Sequence, residues 1–479
     1  MRLIVENRFA LLGLVAIALA ALFGVAFATR SMGADAGAAA PAFEQVPVES
    51  ALRVCPAPVG GDRESELSTY TPVGGTGGGT LSAGPDIEGA PPMGETGEAG
   101  RPWTQDVTDV ERPTVVRAEG AMAAGLEAVQ TTVGEDDPYV AQVRCIEPGV
   151  STWFAAPGEN GLEKLRVHVA NVDGTAATVN VDVYTPDGPL VGEETRGVPV
   201  DAHGEAVIDL TGLVDGVDTA VVHVRTNVGR VAAALFAENT ETGADWVAPT
   251  QAPAERLAIP GVPGGGGGRQ LIVAATGEEA VTADVRVYTT EGELDHEGFT
   301  GLSIPPGASM PLSLQDALGR QEATIVVEAD GPVVAGVATA RSGGRDTAYA
   351  AAADPLEGTV DGRGILPAAP DGVSTRLLLG APEGAATVVV TAVAEDGERG
   401  ERQTVQVEAG HTTTADLETP DGAHVLMVEV AEDSGPVYAA RVLSDGSGDK
   451  RVTATLPVLP APAEVLLPPV QDTLTGVVP

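Results

Sequence analysis

Six histidines are the first side chains to consider for chemistry, because histidine serves both as a general base and as a metal ligand. None has a second histidine three or four residues away, the spacing that places two zinc ligands on one helical face. His223 lies in an alternating strand pattern, where a hydrogen-bonded or solvated side chain is more common than a base. We therefore predict neither a catalytic nor a metal-binding role for the histidines, which are His168, His203, His223, His296, His411 and His424.

Two further segments resemble ligand-binding loops. The glycine run 264–268 lacks the Lys–Ser/Thr ending of a phosphate-binding loop, so we interpret it as a linker at a repeat boundary. The segment 445–449 starts like a calcium loop, but its sixth position is Lys450 instead of Gly and its twelfth is Leu456 instead of Glu. This pattern favours a solvated turn. The sequence thus predicts no cofactor and no metal.

Paired carboxylates are the remaining route to catalysis, since Asp and Glu from distant strands can act together across a glycosidase cleft. Such a cleft normally carries stacking aromatic side chains, and the chain has only 3 Trp. We interpret Trp103, Trp153 and Trp246 as packing residues, with ligand stacking as the alternative. We therefore predict that the protein is not an enzyme. An envelope polysaccharide hydrolase or transferase using Asp/Glu pairs is the alternative.

The net charge follows from 27 Lys and Arg against 68 Asp and Glu, a formal balance of −41. Affinity for nucleic acid comes mainly from Lys and Arg contacts to phosphate, so we predict no nucleic-acid partner. The acidic surface keeps an exported β protein soluble, or it binds divalent cations. If the acidic surface binds divalent cations, a calcium-dependent adhesion module is a further alternative function.

The N-terminal segment is uncharged and apolar from residue 9 to residue 28. Twenty helical residues extend about 30 Å, the thickness of a hydrocarbon core. Because Arg2 and Arg8 precede this stretch, we predict a cytoplasmic segment 1–8 and a single-pass signal anchor 9–29, with the body outside the cytoplasm. A cleaved signal peptide is the alternative, since residues 26–28 (AFA) fit a cleavage site. An Ala/Gly/Pro-rich stalk is predicted at 30–50.

The two cysteines, Cys55 and Cys145, are predicted to form one disulfide, because an even pair outside the cytoplasm is usually oxidised. Two unpaired buried thiols are the alternative. The bond would close a loop of about 90 residues, which on the chain-entropy model contributes about 4–5 kcal/mol.

Self-similar segments recur at a spacing of about 100 residues. Residues 183–188 (VYTPDG) and 287–292 (VYTTEG) are offset by 287 − 183 = 104 residues, and 393–397 (VAEDG) is a weaker third copy. Each ends an alternating apolar run with an acidic residue and glycine, which predicts a hairpin turn. With further recurring blocks, these copies predict three units, at 151–256, 257–363 and 364–463.

Alternation of apolar and polar residues is the dominant local pattern, as in 404–408 (TVQVE), and it predicts half-buried strands. We predict an all-β body of tandem immunoglobulin-like β-sandwich repeats, with a β-propeller-like array as the alternative. A degenerate unit at 51–150 precedes the three repeats, and a Pro-rich tail at 464–479 follows them. Residues 59–101 are expected to form long loops with one or two short strands, and 115–129 could hold one short helix.

Several short motifs resemble an uncharacterised family of exported, membrane-anchored actinobacterial proteins, a domain of unknown function. They are the Val54-Cys55-Pro56 segment past the stalk, Cys145 ahead of the block 153–157 (WFAAP), and the Ala/Val/Gly-rich repeats. The resemblance implies an actinobacterial envelope setting, often beside glycosyltransferase genes, and it carries over no catalytic residue.

Our leading hypothesis is a non-enzymatic, membrane-tethered, extracytoplasmic scaffold or binding module in cell-envelope assembly. Its partners would be the membrane, through the N-terminal helix, and an envelope protein or glycan.

Overall fold

The structure is a computed structural model of the 479-residue chain, and it describes residues 12–25 and 44–467 apart from short internal gaps. The gaps fall at 60, 62, 75–76, 88, 135–136, 159–160, 342–345, 360–361, 416, 418, 420–421 and 423. Strands account for 58% of the structure and helices for 6%, which confirms the predicted all-β class. The chain divides into two compact units, a small one from 1–46 and 465–479 and a large one from 47–464.

In the described part of the small unit there is one helix, α1, over residues 12–25, and its large apolar side chains are exposed. The predicted anchor 9–29 is longer than this helix, and residues 9–11 and 26–29 lie outside the described part, as do 1–8 and 30–43. Within the described residues, no helix combines the length and the apolar character that a membrane crossing requires.

Both ends of the described β structure form strands where other structure was predicted. Strand β1 (Glu44–Pro47) falls in the predicted stalk, and β35 (Glu464–Leu467) falls in the predicted tail. The two strands pair in a two-stranded sheet, so each provides backbone hydrogen-bond partners for the other. Residues 468–479 of the predicted tail lie outside the described residues.

The large unit is built from four modules of strands, each with two layers. Module 1 contains β2 (Ser50–Cys55), β3 (Glu64–Tyr70), β4 (Gly79–Pro85), β5 (Gly94–Thr96), β6 (Trp103–Asp106), β7 (Thr114–Gly120), β8 (Glu127–Val133) and β9 (Val140–Arg144). Module 2 contains β10 (Ser151–Pro157), β11 (Leu162–Asn171), β12 (Ala177–Thr185), β13 (Gly188–Leu190), β14 (Val198–Val200), β15 (Gly204–Asp209), β16 (Thr219–Val228), β17 (Ala232–Asn239) and β18 (Gly243–Val247).

Modules 3 and 4 continue the series. Module 3 contains β19 (Ala254–Val262), β20 (Gly267–Ala275), β21 (Val281–Thr289), β22 (Gly292–Leu294), β23 (Leu302–Ile304), β24 (Ala308–Ser313), the one-turn helix α2 (Gln315–Leu318), β25 (Ala323–Arg341) and β26 (Thr347–Ala351). Module 4 contains β27 (Gly364–Leu366), β28 (Ser374–Ala381), β29 (Ala386–Ala394), β30 (Arg399–Val407), β31 (His411–Ala415), β32 (His424–Val430), β33 (Tyr438–Asp445) and β34 (Val452–Val458). Short 3₁₀ turns occur at Glu193–Thr195, Glu297–Phe299 and Gly448–Lys450.

All four modules share one strand order. When the main strands of a module are numbered from one to eight, layer A has the order 1-6-3-4 and layer B the order 5-2-7-8. In module 3 the sixth and seventh strands are the single strand β25, which passes from layer A into layer B. The additional strands β14 and β23 pair with the third strand of their modules. Module 1 therefore has the same arrangement of eight main strands as the other three modules.

The two layers of each module enclose one apolar core. In module 4, for example, Val388 and Val428 of layer A and Leu377 and Ala439 of layer B belong to one buried cluster. An immunoglobulin constant domain places its strands as A-B-E-D and C-F-G. Here the first strand pairs with the sixth instead of the second, so the strand order differs from the predicted immunoglobulin-like one.

Two local expectations for module 1 are wrong. The segment 115–129 forms most of β7 and the start of β8 instead of a helix, because nearly all its apolar side chains are buried between packed sheets. The segment 59–101 holds three strands, β3, β4 and β5, instead of one or two. Cross-strand pairing with β7 and β8 therefore outweighs its Gly- and Pro-rich composition.

The four modules pack in a closed ring, in which the outer face of layer A in each module covers the outer face of layer B in the next. Modules 1 and 2 meet through Val54, Val115, Ala170, Val172 and Ala232. Modules 2 and 3 meet where Ala155 lies against Gly336 and where the hydroxyls of Thr219 and Ser309 are 3.0 Å apart. Modules 3 and 4 meet through Ala258, Tyr288, Val326 and Tyr438.

The contact between modules 4 and 1 closes this ring. Tyr70 of module 1 is buried among Ile365, Val393, Val425 and Met427 of module 4. The start and end of the large unit also meet, since the Val48 amide donates to the Ala463 carbonyl at 2.9 Å. The eighth strands contact one another in the cyclic order β9, β18, β26, β34 and back to β9. The ring therefore has these four strands along its axis.

Candidate functional site

An axial cavity of about 680 Å³ opens where the four eighth strands begin. Each module contributes side chains to it, so the cavity exists only when the ring is closed. The lining residues are Arg63, Asp137–Val140, Glu163, Glu238–Thr240, Gly243, Ala244, Asp346 and Lys450–Val452. We take this cavity as the candidate functional site.

Charged side chains of both signs line the rim of the axial cavity. The Lys164 ammonium donates to Glu238 at 2.6 Å, and the Arg63 guanidinium lies 3.6 Å from the centre of the Tyr139 ring. Lys164 and Lys450 are the two lysines of the whole sequence, and both lie at or beside this rim. A strongly acidic chain thus concentrates its lysines at one opening, next to carboxylates that accept hydrogen bonds.

Two buried aspartates lie at or next to the cavity: Asp346 lines it, and Asp245 directly follows the lining residue Ala244. The Asp346 carboxylate accepts from the Thr453 amide of module 4 at 3.0 Å, and Asp245 accepts from the Gln142 amide of module 1 at 3.3 Å. Burial raises the pKa of Asp346 to about 7 and holds the pKa of Asp245 well above its usual range. Each carboxylate therefore joins two neighbouring modules at the axis.

A second set of buried polar side chains lies between modules 1 and 4. The buried Arg441 donates to the Gln142 side chain at 3.3 Å and to the Pro367 carbonyl, and burial lowers its pKa to about 9. Arg144 pairs with the buried Glu127 at 2.9 Å and also donates to the Pro457 carbonyl of module 4 at 3.2 Å. The junction that closes the ring is therefore held by buried polar contacts as well as by apolar ones.

The pH dependence of stability should reveal the buried aspartate Asp346. Between the pKa of an unfolded aspartate, about 3.9, and the folded pKa of about 7, the folded chain holds a proton that the unfolded chain has lost. The free energy of unfolding then falls as pH rises through this window. We expect Asp346→Asn to remove this contribution, so that the wild type loses about 1 kcal/mol more than the variant between pH 5 and pH 6.

Urea unfolding at a series of pH values measures this difference. Glu163→Gln is the matched control, because Glu163 is an exposed carboxylate that lines the same cavity. Parallel pH profiles for the wild type and Asp346→Asn would contradict the assignment of a protonated aspartate at the axis.

A Ser–His–Asp combination lies elsewhere, across three neighbouring strands of layer A in module 2. The Ser151 hydroxyl is 2.8 Å from Nε2 of His223, whose ring stacks on Trp153 with 3.7 Å between centroids. Burial lowers the pKa of His223 to about 4, so its imidazole is neutral at pH 7. Asp182 is 3.9 Å from Nδ1, however, and its carboxylate instead accepts from Arg225 at 2.6 Å. This carboxylate does not orient the imidazole, so the geometry is not that of a catalytic triad.

The other histidines make local or structural contacts. His168 packs edge-on against Trp246, and burial lowers its pKa to about 4. His203, at a φ of 53°, bonds Asp86 of module 1 at 2.9 Å. His296 caps a 3₁₀ turn, while His411 and His424 each bond a nearby backbone carbonyl.

The predicted packing residues and loops can also be located. Trp153 and Trp246 are buried, and Trp103 packs against the core of module 1. The glycine run 264–268 lies within module 3, between β19 and β20, and not at a repeat boundary as predicted; Gly267 and Gly268 already belong to β20. The carbonyl of Gly265 accepts from the buried Arg269. Among the described residues, no group of three or more His, Cys, Asp or Glu side chains is arranged to hold a metal ion.

The predicted disulfide is confirmed. Cys55, at the end of β2, is bonded to Cys145, directly after β9, and both sulfur-bearing side chains are fully buried in the core of module 1. The bond joins the first and last strands of the module across a sequence separation of 90 residues.

These observations define a class of structure, a closed array of four β modules around a polar axial cavity. The chain belongs to the Family of unknown function (DUF5719), whose sequence model matches residues 103–418. The match begins in module 1 and continues into module 4, so the family describes the array and not a single module. No curated protein matches the chain. Membership of a family of unknown function agrees with the resemblance seen in the sequence.

Proposed function

We propose that this protein is a non-enzymatic binding module of the cell envelope, in which the axial cavity receives part of an envelope protein or glycan. The single observation that carries the proposal is that all four modules contribute polar side chains to one cavity. Donors such as Arg63 and Lys450 lie beside acceptors such as Glu163 and Glu238. Such a mixed lining suits a polar, uncharged or zwitterionic group.

The closed ring supports a binding role because it fixes the cavity before any ligand arrives. Neighbouring modules are joined at the axis by hydrogen bonds from Gln142 to Asp245 and from Thr453 to Asp346. Preorganised groups lose little conformational entropy on binding, and affinity increases accordingly.

Export and a membrane tether belong to the same proposal. A buried disulfide favours an oxidising compartment outside the cytoplasm. The helix α1 exposes apolar side chains over its described length, including Leu14, Ile17 and Phe23, as expected of a helix surrounded by lipid. The predicted actinobacterial envelope setting is part of this proposal.

Site-specific photocrosslinking in the producing cells tests the binding role. A photoreactive residue at Lys450, on the cavity rim, should give discrete adducts with an envelope-assembly protein or with envelope glycan. The same residue at Asp187, in an exposed turn of module 2, is the control. Charge reversal by Arg451→Glu should reduce the adducts at least several-fold. Identical products from both positions would contradict the proposal.

A polysaccharide hydrolase is the second candidate, and a specific observation favours it. Among the described residues, four carboxylates line the axial cavity, and burial raises the pKa of one of them, Asp346, to about 7, as a general acid requires. We expect no release of reducing sugar from isolated envelope polysaccharide by the purified protein. Release that Asp346→Asn abolishes would replace the binding proposal with the hydrolase.

A further inference from the structure

A smaller recess of about 180 Å³ lies between modules 2 and 3, directly beside the axial cavity. Asn239 lines both spaces, and Thr347 of the recess follows Asp346 of the cavity in sequence. The recess is therefore a side pocket of the candidate site. The two spaces adjoin at Asn239 and at the neighbouring residues Asp346 and Thr347.

The recess is lined by neutral polar groups. Its hydroxyl and amide side chains are those of Asn239, Thr242, Gln270, Ser313, Thr339 and Thr347. Among the described residues that line it, Arg269 is the one charged side chain, and its guanidinium donates to the backbone carbonyls of Pro263, Gly265 and Gly319. The charge of Arg269 is thus used within module 3.

Two of the residues that line the recess each have a buried side-chain oxygen without a hydrogen-bond partner. The side-chain oxygens of Gln270 and Thr339 are buried, and neither has a hydrogen-bond partner among the described residues. Buried polar atoms in folded proteins are nearly always hydrogen-bonded, to protein, water or a ligand. The Gln270 oxygen only accepts, whereas the Thr339 hydroxyl both accepts and donates, so a hydroxyl group of a ligand suits both atoms.

We propose that this recess binds one ring of a neutral polyhydroxylated ligand, a single sugar residue whose neighbours extend into the axial cavity. A sugar ring presents several hydroxyl groups that both donate and accept, which matches a lining of hydroxyls and amides. The inference rests on the proposed binding function and names the substrate class for the same site. The absence of a free charge in the described lining makes an anionic sugar a poorer fit than a neutral one.

Titration of the full-length protein with simple sugars tests the inference. The probes are the methyl glycosides of glucose, galactose and mannose, with glucuronate as the anionic arm and cyclohexanol as a ring that has a single hydroxyl. We expect at least one neutral glycoside to bind, measured by saturation-transfer NMR and calorimetry, and to bind at least ten-fold more tightly than cyclohexanol or glucuronate.

Two nearly isosteric variants locate the binding. Thr339→Val and Gln270→Met each remove an acceptor, and each should weaken the glycoside about three- to ten-fold, the usual effect of one lost hydrogen bond. Thr178→Val, at a half-buried strand position of module 2 outside the recess, is the matched control and should leave affinity unchanged. Near-equal melting temperatures for all three variants show that they are folded.

The outcomes separate this inference from the proposed function. If no neutral glycoside binds, or if binding is insensitive to both variants, the sugar recess is wrong. Adducts from the Lys450 position would then still support a binding role for the axial cavity. If the adducts are lost but the glycoside binds at the recess, the broader proposal fails and the recess stands.

Discussion

The double variant Cys55→Ala/Cys145→Ala is expected to lower the free energy of unfolding by about 4–5 kcal/mol. The disulfide closes a loop with a sequence separation of 90 residues, and the entropy that such a crosslink removes from the unfolded chain grows with loop length. Alanine is the appropriate replacement, because both cysteines are fully buried and a serine hydroxyl would be left without a partner.

Urea unfolding followed by circular dichroism measures this loss. Reduction of the wild-type protein is the control, since it should reproduce the behaviour of the double variant. An unchanged unfolding midpoint in both cases would show that the bond does not stabilise module 1.

The second large effect is expected from Arg144→Met. Arg144 and Glu127 pair at 2.9 Å with side-chain exposures of only 11% and 4%, so removing the arginine leaves a buried carboxylate without its counter-charge. Breaking such a pair destabilises a protein by about 3–5 kcal/mol. Burial raises the pKa of Glu127, although Arg144 has the opposite effect. The stability that Arg144→Met removes should therefore be smaller at low pH, where the Glu127 carboxyl is neutral.

Two comparison variants separate the pair from the surrounding structure. Arg166→Met breaks a pair whose side chains are 40% and 49% exposed, and it should change stability by no more than about 1 kcal/mol. The double variant Glu127→Gln/Arg144→Met should recover a large part of the loss, because no unpaired charge remains. Equal effects of Arg144→Met and Arg166→Met would contradict a buried ion pair at this position.

The repeats and their turns could be predicted because they are local properties. The segments 183–188 and 287–292 each contain a hairpin turn, with Thr185 opposite Gly188 and Thr289 opposite Gly292. The alternation within 281–289 also survives in the fold, since its valines are buried while Thr282, Asp284 and Arg286 are exposed. Short-range patterns of this kind indicate which side of a strand faces the core.

The ring and its axial site could not be predicted, because they depend on residues that are far apart in the sequence. Asp245 and Gln142 are separated by 103 residues, and Arg441 and Gln142 by 299. A polar residue within an apolar strand, such as Arg441 in β33, was the available signal, but a strand pattern does not reveal which distant strand will cover it. The sequence predicts module 1 only as a degenerate unit at 51–150 for a related reason, because β3 and β4 pair with strands that lie far along the chain, β8 and β7, and this pairing compensates for the glycine and proline of the segment.

Closure of the ring between modules 1 and 4 is the central claim, since without it no axial cavity exists. At Gly397 of module 4, a Cβ atom would lie 3.6 Å from Cβ of Arg101 in module 1, within the range that a disulfide requires. The Arg101→Cys/Gly397→Cys variant is therefore expected to form a crosslink between the two modules. The single variant Gly397→Cys controls for strain, because Gly397 has a φ of 86°.

Mass spectrometry of unreduced peptides from the full-length variant provides the measurement. A linked peptide pair containing positions 101 and 397 is the predicted result, with no comparable link in Arg101→Cys/Gly277→Cys, whose second site lies in an open turn of module 3. If both double variants give the same low yield of linked peptide while the native Cys55–Cys145 bond is intact, modules 1 and 4 do not meet and the ring is open.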